Sequence, residues 1–548
     1  MLKPPLCGAA ALVLLLPNAP AQDPPAPTAA PAAGAATPLF ELELAGPAVW
    51  RAQFAPTNLG SLLSSDSGRE LWQPLTGRLE LVLRAAFAGD DDAWRAARAR
   101  ALDYAGALEL RIFYDGSTAS PQIELRLRPD GHTDLAALAR DVAAVARRPD
   151  GADWIAADDD LPRRLPLQGG ALLSEPCALG AGMLAVVADE ADLPAALARA
   201  RSAEPPTGNP DPDPRKQPAM AARFDAAAAT ALFLARSDSA PAWRAAGLDA
   251  LGTSTFELGT AGPHVRIDLE QQFTRDERGL FAVLFPASQG VPAIASLLPN
   301  PDFGWKAGRL DLAALVRPIL AIAAARGQDR EETERELRES LGGDEHTGLL
   351  SHFTDEYLLF GRLDAAFDTD GNQITWGIAF RVRDSEALLA KMTAGRKGIG
   401  MTELSDDDLG GGYRVRRYGG WFQTTAVSGP DLFAVIYGYE AETRAEELVA
   451  AARRGNWTAR TEPPQRARGV LPYAPPGLNG IAEGNVAAIV LQLGVAIGLL
   501  GELAGDFELP SLQGDDALPT DLLREHGLAT TWTMTGYADQ RWHFRALW

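Results

Sequence analysis

Cysteine is almost absent from this chain of 548 residues. Of its two cysteines, Cys7 precedes a predicted signal-peptide cleavage site, so that only Cys177 would remain in the mature protein. One cysteine cannot form an internal disulfide, which excludes the small secreted folds that depend on a disulfide framework. No histidine or cation lies near Cys177 in the sequence to activate its thiol, and we predict a small buried side chain.

Lysine and long apolar runs are also scarce, although arginine is abundant. The formal net charge is −21, the pI is about 4.8, and the chain has five lysines. Nucleic-acid binding needs a clustered basic face, so nucleic acid is excluded as a partner, and adhesion to anionic lipid is unfavourable. The longest apolar run after the N-terminus, Val486–Leu500, has fifteen residues including Gln492. It is too short for a membrane span and predicts a buried helix or a strand–helix pair, so the mature chain should contain no integral membrane segment.

Recognised catalytic and cofactor motifs are missing as well. The sequence contains no P-loop, no G-x-S-x-G, no H-E-x-x-H and no C-x-x-C. Gly180-Ala181-Gly182 precedes a predicted strand, whereas a dinucleotide-binding loop follows one. The histidines are scattered, and His346 and His352 do not have the spacing of a metal pair on one helix face; the full set is His132, His264, His346, His352, His526 and His543. We therefore assign no catalytic, cofactor-binding or metal-binding residue, and no cofactor.

Stretches rich in aspartate have explanations other than metal binding. The sequence DTDGN at Asp368–Asn372 places its glycine too early for a calcium loop, and the flanking alternation predicts a hairpin turn at Asp370-Gly371. The triplets Asp158–Asp160 and Asp406–Asp408 can in principle chelate a hard cation. Adjacent carboxylates in a loop are usually solvated, however, and this is what we expect of both triplets.

The N-terminus has the features of an export signal. Lys3 supplies a positive start, Leu6–Leu16 is an apolar core, and Ala19-Pro20-Ala21 is a small-x-small cleavage site. Residues 1–21 are therefore predicted to be a signal peptide, cleaved after Ala21. The following Pro/Ala-rich residues 22–38 are expected to be a disordered linker. These features predict a secreted or periplasmic bacterial protein.

Two distant parts of the chain follow the same order of elements. Met183–Ser202 and Leu432–Arg454 both read as a short apolar strand followed by an alanine-rich helix. Before them, Leu108–Arg128 and Tyr357–Val382 alternate apolar and polar residues on either side of an Asp-Gly pair, which predicts a hairpin with one buried face. So many matches in one order indicate an internal duplication.

The matches extend to both ends of the mature chain. Leu39–Gln53 and Asp302–Val316 each predict a strand running into a helix, and Thr255–Phe273 and Thr530–Leu547 each predict a closing hairpin. We predict an α+β fold made by tandem duplication of two similar lobes. Each lobe would have its own largely antiparallel, curved sheet with helices packed on it. The predicted boundaries are lobe 1 at 39–273 with a disordered insert at 203–218, a connector at 274–300, and lobe 2 at 301–548 with a Pro-rich insert at 461–477.

The chain also resembles a known family. PLFELELAGPAVWRAQFAPTNLGSLL at Pro38–Leu63 and ERGLFAVLFPASQGVPAIASLLPNPDFGW at Glu277–Trp305, after a secretion signal, resemble the secreted bacterial proteins of the domain of unknown function 3352 family. The resemblance covers most of residues 39–548 and rests on pattern, without an invariant motif. It implies export and a repeated α+β architecture, and it supplies no catalytic residues.

These observations favour an exported, soluble, non-enzymatic protein of the bacterial cell envelope that binds or scaffolds, with a protein, a glycan or a small apolar molecule as its partner. One alternative is a carrier of an apolar or lipid ligand, held on apolar strand faces beneath alanine-rich helices. We favour the simpler interpretation that those faces form the core. Another alternative is a hydrolase whose serine or carboxylate residues are assembled by the fold.

Overall fold

The structure is a computed structural model and describes residues 37–68, 91–103, 106–114, 122–127, 137, 164–166, 172–174, 186–187, 216–287, 290–298, 304–341, 348–361, 375–396, 402–419, 424–438, 440–459, 464–485, 525–528 and 530–548. Some predictions concern residues outside these ranges: the signal peptide 1–21, most of the linker 22–38, most of the insert 203–218, Asp158–Asp160, Cys177, Gly180–Gly182, Val486–Leu500, His132, His346 and both Asp-Gly turns.

Sixteen of the described strands form one antiparallel sheet, and the other three form a small separate sheet. In chain order the strands are β1 Phe40–Leu44, β2 Leu108–Phe113, β3 Gln122–Leu127, β4 Arg164–Pro166, β5 Leu172–Ser174, β6 Val186–Val187, β7 Met220–Asp225, β8 Leu251–Ala261, β9 His264–Phe273, β10 Gly304–Arg309, β11 Phe353–Gly361, β12 Thr375–Val382, β13 Thr402–Gly410, β14 Tyr413–Gly419, β15 Thr424–Ser428, β16 Leu432–Gly438, β17 Leu478–Asn485, β18 Thr530–Ala538 and β19 Arg541–Leu547. The α+β class is confirmed.

The described α-helices connect these strands and pack on the large sheet or on one another. They are α1 Pro47–Phe54, α2 Asn58–Ser64, α3 Asp91–Asp103, α4 Ala226–Arg236, α5 Ala240–Ala245, α6 Leu280–Leu284, α7 Val316–Ala325, α8 Arg330–Leu341, α9 Ser385–Arg396 and α10 Ala441–Arg453. None of these helices is both long enough and apolar enough to cross a membrane.

The prediction of two sheets, one per lobe, is wrong, because the large sheet is continuous. Its order is β13-β14-β15-β16-β12-β11-β10-β17-β18-β19-β9-β8-β7-β1-β2-β3. The join is the pair β9–β19, in which seven residue pairs run from Arg266–Leu547 to Gln272–Arg541. Each half would otherwise end in an edge strand with unpaired backbone groups, and pairing the two edges satisfies both. We call this pair of strands the seam.

The hairpins predicted from sequence are present. In β2 the residues Leu108 and Leu110 are buried, and β2 pairs with β3 from Leu108–Leu127 to Phe113–Gln122. In the last hairpin, Asp539 and Gln540 connect β18 to β19 with φ of 50° and 59°. Two consecutive left-handed residues form the type of turn that matches the twist of a two-stranded hairpin.

The two faces of the large sheet differ in chemistry. We call face I the side that carries one row of directly paired residues: Leu108, Leu44, Met220, Leu258, Ile267, Ala546, Thr533, Ala482, Lys306, Leu359, Ile378, Val435, Ala426, Arg416 and Asp406. Side chains alternate along a strand, so their neighbours lie on the opposite side, face II. Face I is mainly apolar, and face II is charged at the seam and apolar in the C-terminal half.

The main core lies on face II of the C-terminal half. There Trp305, Leu358 and Phe360 pack with Leu448 and Val449 of α10. A second cluster on face I contains Phe433 and Val435 with Leu388 and Leu389 of α9. The strand–helix prediction at 432–454 is therefore confirmed by β16 and α10.

The connector and the C-terminal Pro-rich segment contribute to this core. In the connector, Ile294 and Leu297 are completely buried in the main cluster. In the described part of the Pro-rich segment, short 3-10 helices at Gln465–Gly469 and Leu471–Tyr473 bury Ala467 and Val470 in the same cluster. Both stretches thus stabilise the C-terminal half.

Charged side chains cover face II at the seam. Arg545 of β19 donates to Asp268 of β9 at 3.0 Å, and Arg541 donates to Glu270 at 2.7 Å. Arg266 approaches Asp268 within 3.0 Å. These side chains are partly exposed, so each pair adds little to stability, but their complementarity favours this register over others.

Candidate functional site

Helix α4 begins and ends where its sequence predicts. Asp225 caps the helix, because its Oδ1 accepts a hydrogen bond from the backbone N–H of Ala228 at 2.9 Å. Alanine and leucine favour the helical interior, and the chain leaves the helix at Ser237, whose backbone is extended. The buried residues Ala226, Thr230 and Leu234 recur every four positions and form one stripe of the helix.

A second apolar stripe of α4 lines an open cleft. Ala229, Leu232, Phe233 and Arg236 have the spacing i, i+3, i+4, i+7, which places them on one side of the helix. This α4 cleft has a volume of about 430 Å³. Its residues are Leu39, Tyr114, Ala229, Leu232, Phe233, Arg236 and Ser237. The far wall therefore comes from the residues that flank β1 and β2.

The polar groups of the α4 cleft are concentrated at the C-terminal end of the helix. The guanidinium carbon of Arg236 lies 5.7 Å from the ring centroid of Tyr114, within the range of a cation–π contact. Ser237 follows directly, and its Oγ accepts a hydrogen bond from the backbone N–H of Ser239 at 3.2 Å. The cleft thus has apolar walls and one cationic, hydroxyl-bearing rim.

Two exposed aromatic side chains meet at one side of the α4 cleft. Phe233 is 47% exposed and Trp243 of α5 is 40% exposed, and their rings meet edge to face at 5.9 Å. Phe224, at the end of β7 just before α4, is also exposed. Large apolar side chains that stay in solvent as a group, not singly, mark an interaction site more often than a packing defect.

A second cleft lies between α7 and α8 and has a different character. Its volume is about 340 Å³, and it is lined by Ile319, Ile322, Ala323, Arg326, Gln328, Thr333, Glu336 and Leu337. Half of these eight residues carry a charged, amide or hydroxyl group: Arg326, Gln328, Thr333 and Glu336. Ligand pockets usually combine apolar walls with few polar groups, so the α4 cleft is the better candidate.

The described histidines do not converge on one site. His264 Nδ1 lies 3.3 Å from the carbonyl oxygen of Trp548, and His543 Nδ1 lies 3.4 Å from a carboxylate oxygen of Glu270. Burial lowers the pKa of His543, Glu270 raises it, and the adjacent arginines lower it. Among the described residues, no group of three or more His, Cys, Asp or Glu is arranged to hold a metal ion.

Two buried carboxylates are held in structural contacts. Glu356 accepts the backbone N–H of Ile294 at 3.1 Å and lies 3.5 Å from Arg309. Glu483 accepts the indole N–H of Trp305 at 2.9 Å and forms an ion pair with an arginine. They lie at opposite ends of β10, since Arg309 is paired with Glu356 and Trp305 with Glu483. This separation does not suit a pair of acid–base catalysts.

The prediction that Asp406–Asp408 are solvated loop carboxylates is wrong. All three lie in β13, paired with β14. Asp406 accepts hydrogen bonds from Arg414 at 2.7 Å and from Arg416 at 3.0 Å, and Asp407 is bonded to Arg417. Arginine partners on the neighbouring strand hold Asp406 and Asp407 in a cross-strand ladder, whereas Asp408 is exposed and accepts the backbone N–H of Gly410 at 2.7 Å.

The α4 cleft was not predicted from the sequence, although Phe224–Ala235 is an apolar stretch. The available signal was the double periodicity, one stripe at 226, 230 and 234 and another at 229, 232, 233 and 236. A helix with two apolar stripes needs two partners, and only one of them is supplied by the core.

Comparison with known proteins gives no family assignment. No family model matches this chain, and no curated protein matches it. Crystal forms III and IV of TP0453 cover 48% of this chain and 80% and 81% of their own, with 11% sequence identity and a TM-score of 0.22. A likeness this weak supports no inference about fold or function.

Proposed function

We propose that this chain is an exported, non-enzymatic binding protein of the bacterial cell envelope, and that the α4 cleft binds an apolar group of its partner. The observation that carries the proposal is the second apolar stripe of α4, which faces an open cleft with exposed aromatic residues at one side. A volume of about 430 Å³ lies within the range of small-molecule sites. The same observation favours a carrier of a small apolar ligand over a scaffold.

Export and the family resemblance belong to the same proposal. The predicted signal peptide at 1–21 supports export, and the resemblance to the domain of unknown function 3352 family implies export as well. Sequencing the N-terminus of the protein recovered from its host should give Gln22 as the first residue. Recovery of an intact Met1 from the cytoplasm would contradict export.

We also propose that the chain arose by tandem duplication. The N-terminal half has the strand order β3-β2-β1-β7-β8-β9, and the C-terminal half has β12-β11-β10-β17-β18-β19. In each half the first strand, β1 or β10, pairs on one side with the hairpin that follows it, β2–β3 or β11–β12. On its other side it pairs with a later strand, β7 or β17, which is followed by a second hairpin, β8–β9 or β18–β19. Superposition of the halves should bring β2–β3 onto β11–β12 with the chain running in the same direction. A match in which these hairpins are displaced would contradict the duplication.

The binding proposal can be tested with a neutral apolar dye. Nile red should gain fluorescence when it is mixed with the mature protein, and Phe233→Ser should remove most of this gain because it replaces the most exposed ring of the cleft. Leu404→Ser is the matched control, since Leu404 is 65% exposed but lies in β13, outside the α4 cleft. Equal loss in both variants would show that the dye reports general surface apolarity, and would refute the site.

A further inference from the structure

Part of face I stays open to solvent where β10, β11 and β12 run side by side. Leu359 of β11 is 38% exposed and pairs with Ile378 of β12, and Trp376, two residues from Ile378, is 48% exposed. Residues two apart along a strand share a face, so all three belong to face I. Lys306 of β10 pairs with Leu359 and lies on the same face. We call Lys306, Leu359 and Trp376 the β10–β12 patch; none of them lines the α4 cleft.

The indole of Trp376 has an aromatic neighbour on one side and a glycine on the other. It stacks on Tyr437 of β16, with ring centroids 4.4 Å apart and ring planes inclined by 23°. On its other side it pairs with Gly361 of β11, which pairs in turn with Gly304 of β10. An added Cβ at Gly361 would lie 3.2 Å from the Cβ of Trp376, which is closer than an ordinary contact. The two glycines therefore leave room for a flat group beside the indole.

Lys306 is the charged member of the β10–β12 patch. Its side chain is exposed, and within the part of the chain that the structure describes it forms no ion pair and no side-chain hydrogen bond. Glu356 and Glu483, the buried carboxylates of the two flanking strands, lie on face II, because they pair with Arg309 and Trp305 of β10 and not with Lys306. In a chain with a formal charge of −21, such a cation is complementary to an anionic group of a ligand.

Helices packed on face I stand on either side of the patch. Beyond β12, Leu388 of α9 packs in one cluster with Phe433 of β16. In the other direction, Phe54 of α1 packs in one cluster with Val265 of β9. A helix is about 10 Å thick, so these two walls enclose a trough with the patch on its floor. A chain-like molecule can lie along this floor, whereas a flat bilayer would first meet the helices.

We propose that the β10–β12 patch binds an acidic glycan, with one pyranose ring on the indole of Trp376 and a carboxylate near Lys306. The less polar side of a pyranose presents C–H groups with partial positive charge, which pack on the negative face of an indole. Two strand spacings and two residues separate the Cα atoms of Lys306 and Trp376, about 12 Å in all. A lysine side chain extends across part of this distance, so a carboxylate on the stacked sugar or on the next one comes within its reach.

The expected preference follows from the strength of an exposed ion pair. Such a pair changes a dissociation constant by about fivefold at most, and salt screens it. The probes are cellotetraose and the cellouronate tetramer, which differ only in carrying a hydroxymethyl group or a carboxylate on each ring. We therefore expect the mature protein to bind the cellouronate tetramer about fivefold more tightly in low salt at pH 7, and about equally in 0.5 M NaCl.

The experiment is calorimetric titration of the full mature protein and its variants with these two sugars. Lys306→Gln should reduce the preference for cellouronate from about fivefold to about onefold, and Lys306→Arg should retain it. Lys216→Gln, at another exposed lysine, is the matched control and should leave the preference unchanged. Trp376→Ala should weaken binding of both sugars by about twofold to tenfold, since it removes the stacking surface. Trp243→Ala, at a tryptophan that is 40% exposed on α5, should leave both unchanged.

Each contrary outcome overturns a stated part of the inference. Failure of both sugars to bind, or binding that Trp376→Ala leaves unchanged, would refute the site. A preference for cellouronate that survives Lys306→Gln would refute the role of the carboxylate. Tighter binding of tetraglutamate or of phosphatidylglycerol vesicles, lost in Lys306→Gln, would replace the glycan by an acidic protein or a lipid surface. Phe233→Ser in the α4 cleft should not affect sugar binding, so this inference and the proposed function can fail separately.

Discussion

Phe273 should be one of the most sensitive positions for the stability of the seam. It is the last residue of β9, its side chain is 1% exposed, and its ring lies 5.7 Å from that of Phe281 and 6.3 Å from that of Tyr537. The guanidinium of Arg278 lies 5.1 Å from the Phe273 ring and 4.1 Å from the Tyr537 ring. The cluster therefore joins β9, the connector and β18, which belong to different halves of the chain.

Phe273→Ala removes the ring at the centre of this cluster and leaves a cavity. Truncation of a buried phenylalanine costs about 3–5 kcal/mol, and the upper part of the range is expected because aromatic and cation–π contacts are lost as well. Burial lowers the pKa of Arg278, but an arginine side chain stays charged, so its guanidinium would lose one of its two aromatic partners. Phe273→Leu fills most of the space and should cost about 1.5 kcal/mol or less.

The measurement is denaturant unfolding followed by tryptophan fluorescence. Trp542 reports on the seam, since its ring lies 4.7 Å from that of Phe285 within the same cluster. A protein of this size does not have to unfold in one step, so only the transition that changes this signal is compared. Leu269→Ala is the matched control on the same strand, because Leu269 is 37% exposed and should cost less than about 1 kcal/mol. The reasoning would be refuted if Phe273→Leu and Phe273→Ala lowered the free energy of unfolding equally, or if Phe273→Ala lowered it less than Leu269→Ala does.

Three further perturbations test other contacts. Burial lowers the pKa of His543 in the folded protein below its ordinary value near 6.5, so the unfolded chain takes up a proton first and stability should fall as the pH drops through 6.5. In a series of Tm measurements against pH, His543→Gln should reduce this fall. An unchanged fall would show that His543 does not cause it. Asp406→Asn should lower the free energy of unfolding by about 1 kcal/mol in low salt and by less in 0.5 M NaCl, as measured by urea unfolding. A loss that does not depend on salt would argue against an ion-pair ladder. Gly477→Ala should lower the free energy of unfolding by several kcal/mol and lower Tm, because Gly477 has φ of 61° and an added Cβ would lie 2.1 Å from the carbonyl oxygen of Tyr537. An unchanged Tm would show that the backbone at Gly477 can move away from Tyr537.

Local features of the fold could be predicted from sequence because their signals are local. Period-two alternation around an Asp-Gly pair identified β2–β3 and β11–β12. At the start of α9 the signal is again local, because Asp384 Oδ1 accepts the backbone N–H of Ala387 at 2.9 Å and caps the helix. The charged sequence of α8, Arg330–Leu341, is likewise typical of an exposed helix. In these cases, the residues that determine the element lie within it.

The single sheet could not be predicted in this way. The seam pairs residues about 277 positions apart, as in the bond between Arg545 and Asp268. Alternation predicts that β9 and β19 are strands with one charged face, but it does not specify which strand pairs with which. The α4 cleft has the same limitation: its stripe is visible in the sequence, whereas its far wall, Leu39 and Tyr114, depends on the pairing of β1 with β2.

The ion pairs of Asp406–Asp408 could have been predicted from the sequence of the next strand. The next strand, Tyr413–Gly419, reads YRVRRYG and places arginines at 414, 416 and 417. Antiparallel pairing across the glycines at 410–412 places Arg414 opposite Asp408 and Arg416 opposite Asp406, while Arg417, opposite Ser405, bonds Asp407 diagonally. An acidic run and a basic run on either side of a glycine turn are therefore better interpreted together, as one hairpin.

The seam also predicts how the two halves behave when they are made as separate chains. Residues 22–273 would leave β9 as an unpaired edge, and residues 274–548 would leave β19 as one, because each strand pairs with the other along seven residue pairs. Exposed edges of this length promote aggregation. We expect each fragment to be poorly soluble alone and the two to copurify at equal stoichiometry when they are expressed together. The connector belongs with the C-terminal fragment, since Ile294 and Leu297 are buried in that core.

Charge reversal at the seam tests whether this association uses the observed register. Arg545→Glu places like charges opposite each other at Asp268 and should reduce copurification of the fragments at low salt. Combining Arg545→Asp with Asp268→Arg should restore it, whereas Arg335→Glu on the exposed helix α8 should have no effect. If the N-terminal fragment is instead a stable monomer that does not bind its partner, β9 does not need β19 to satisfy its edge, and the reasoning from the seam is refuted.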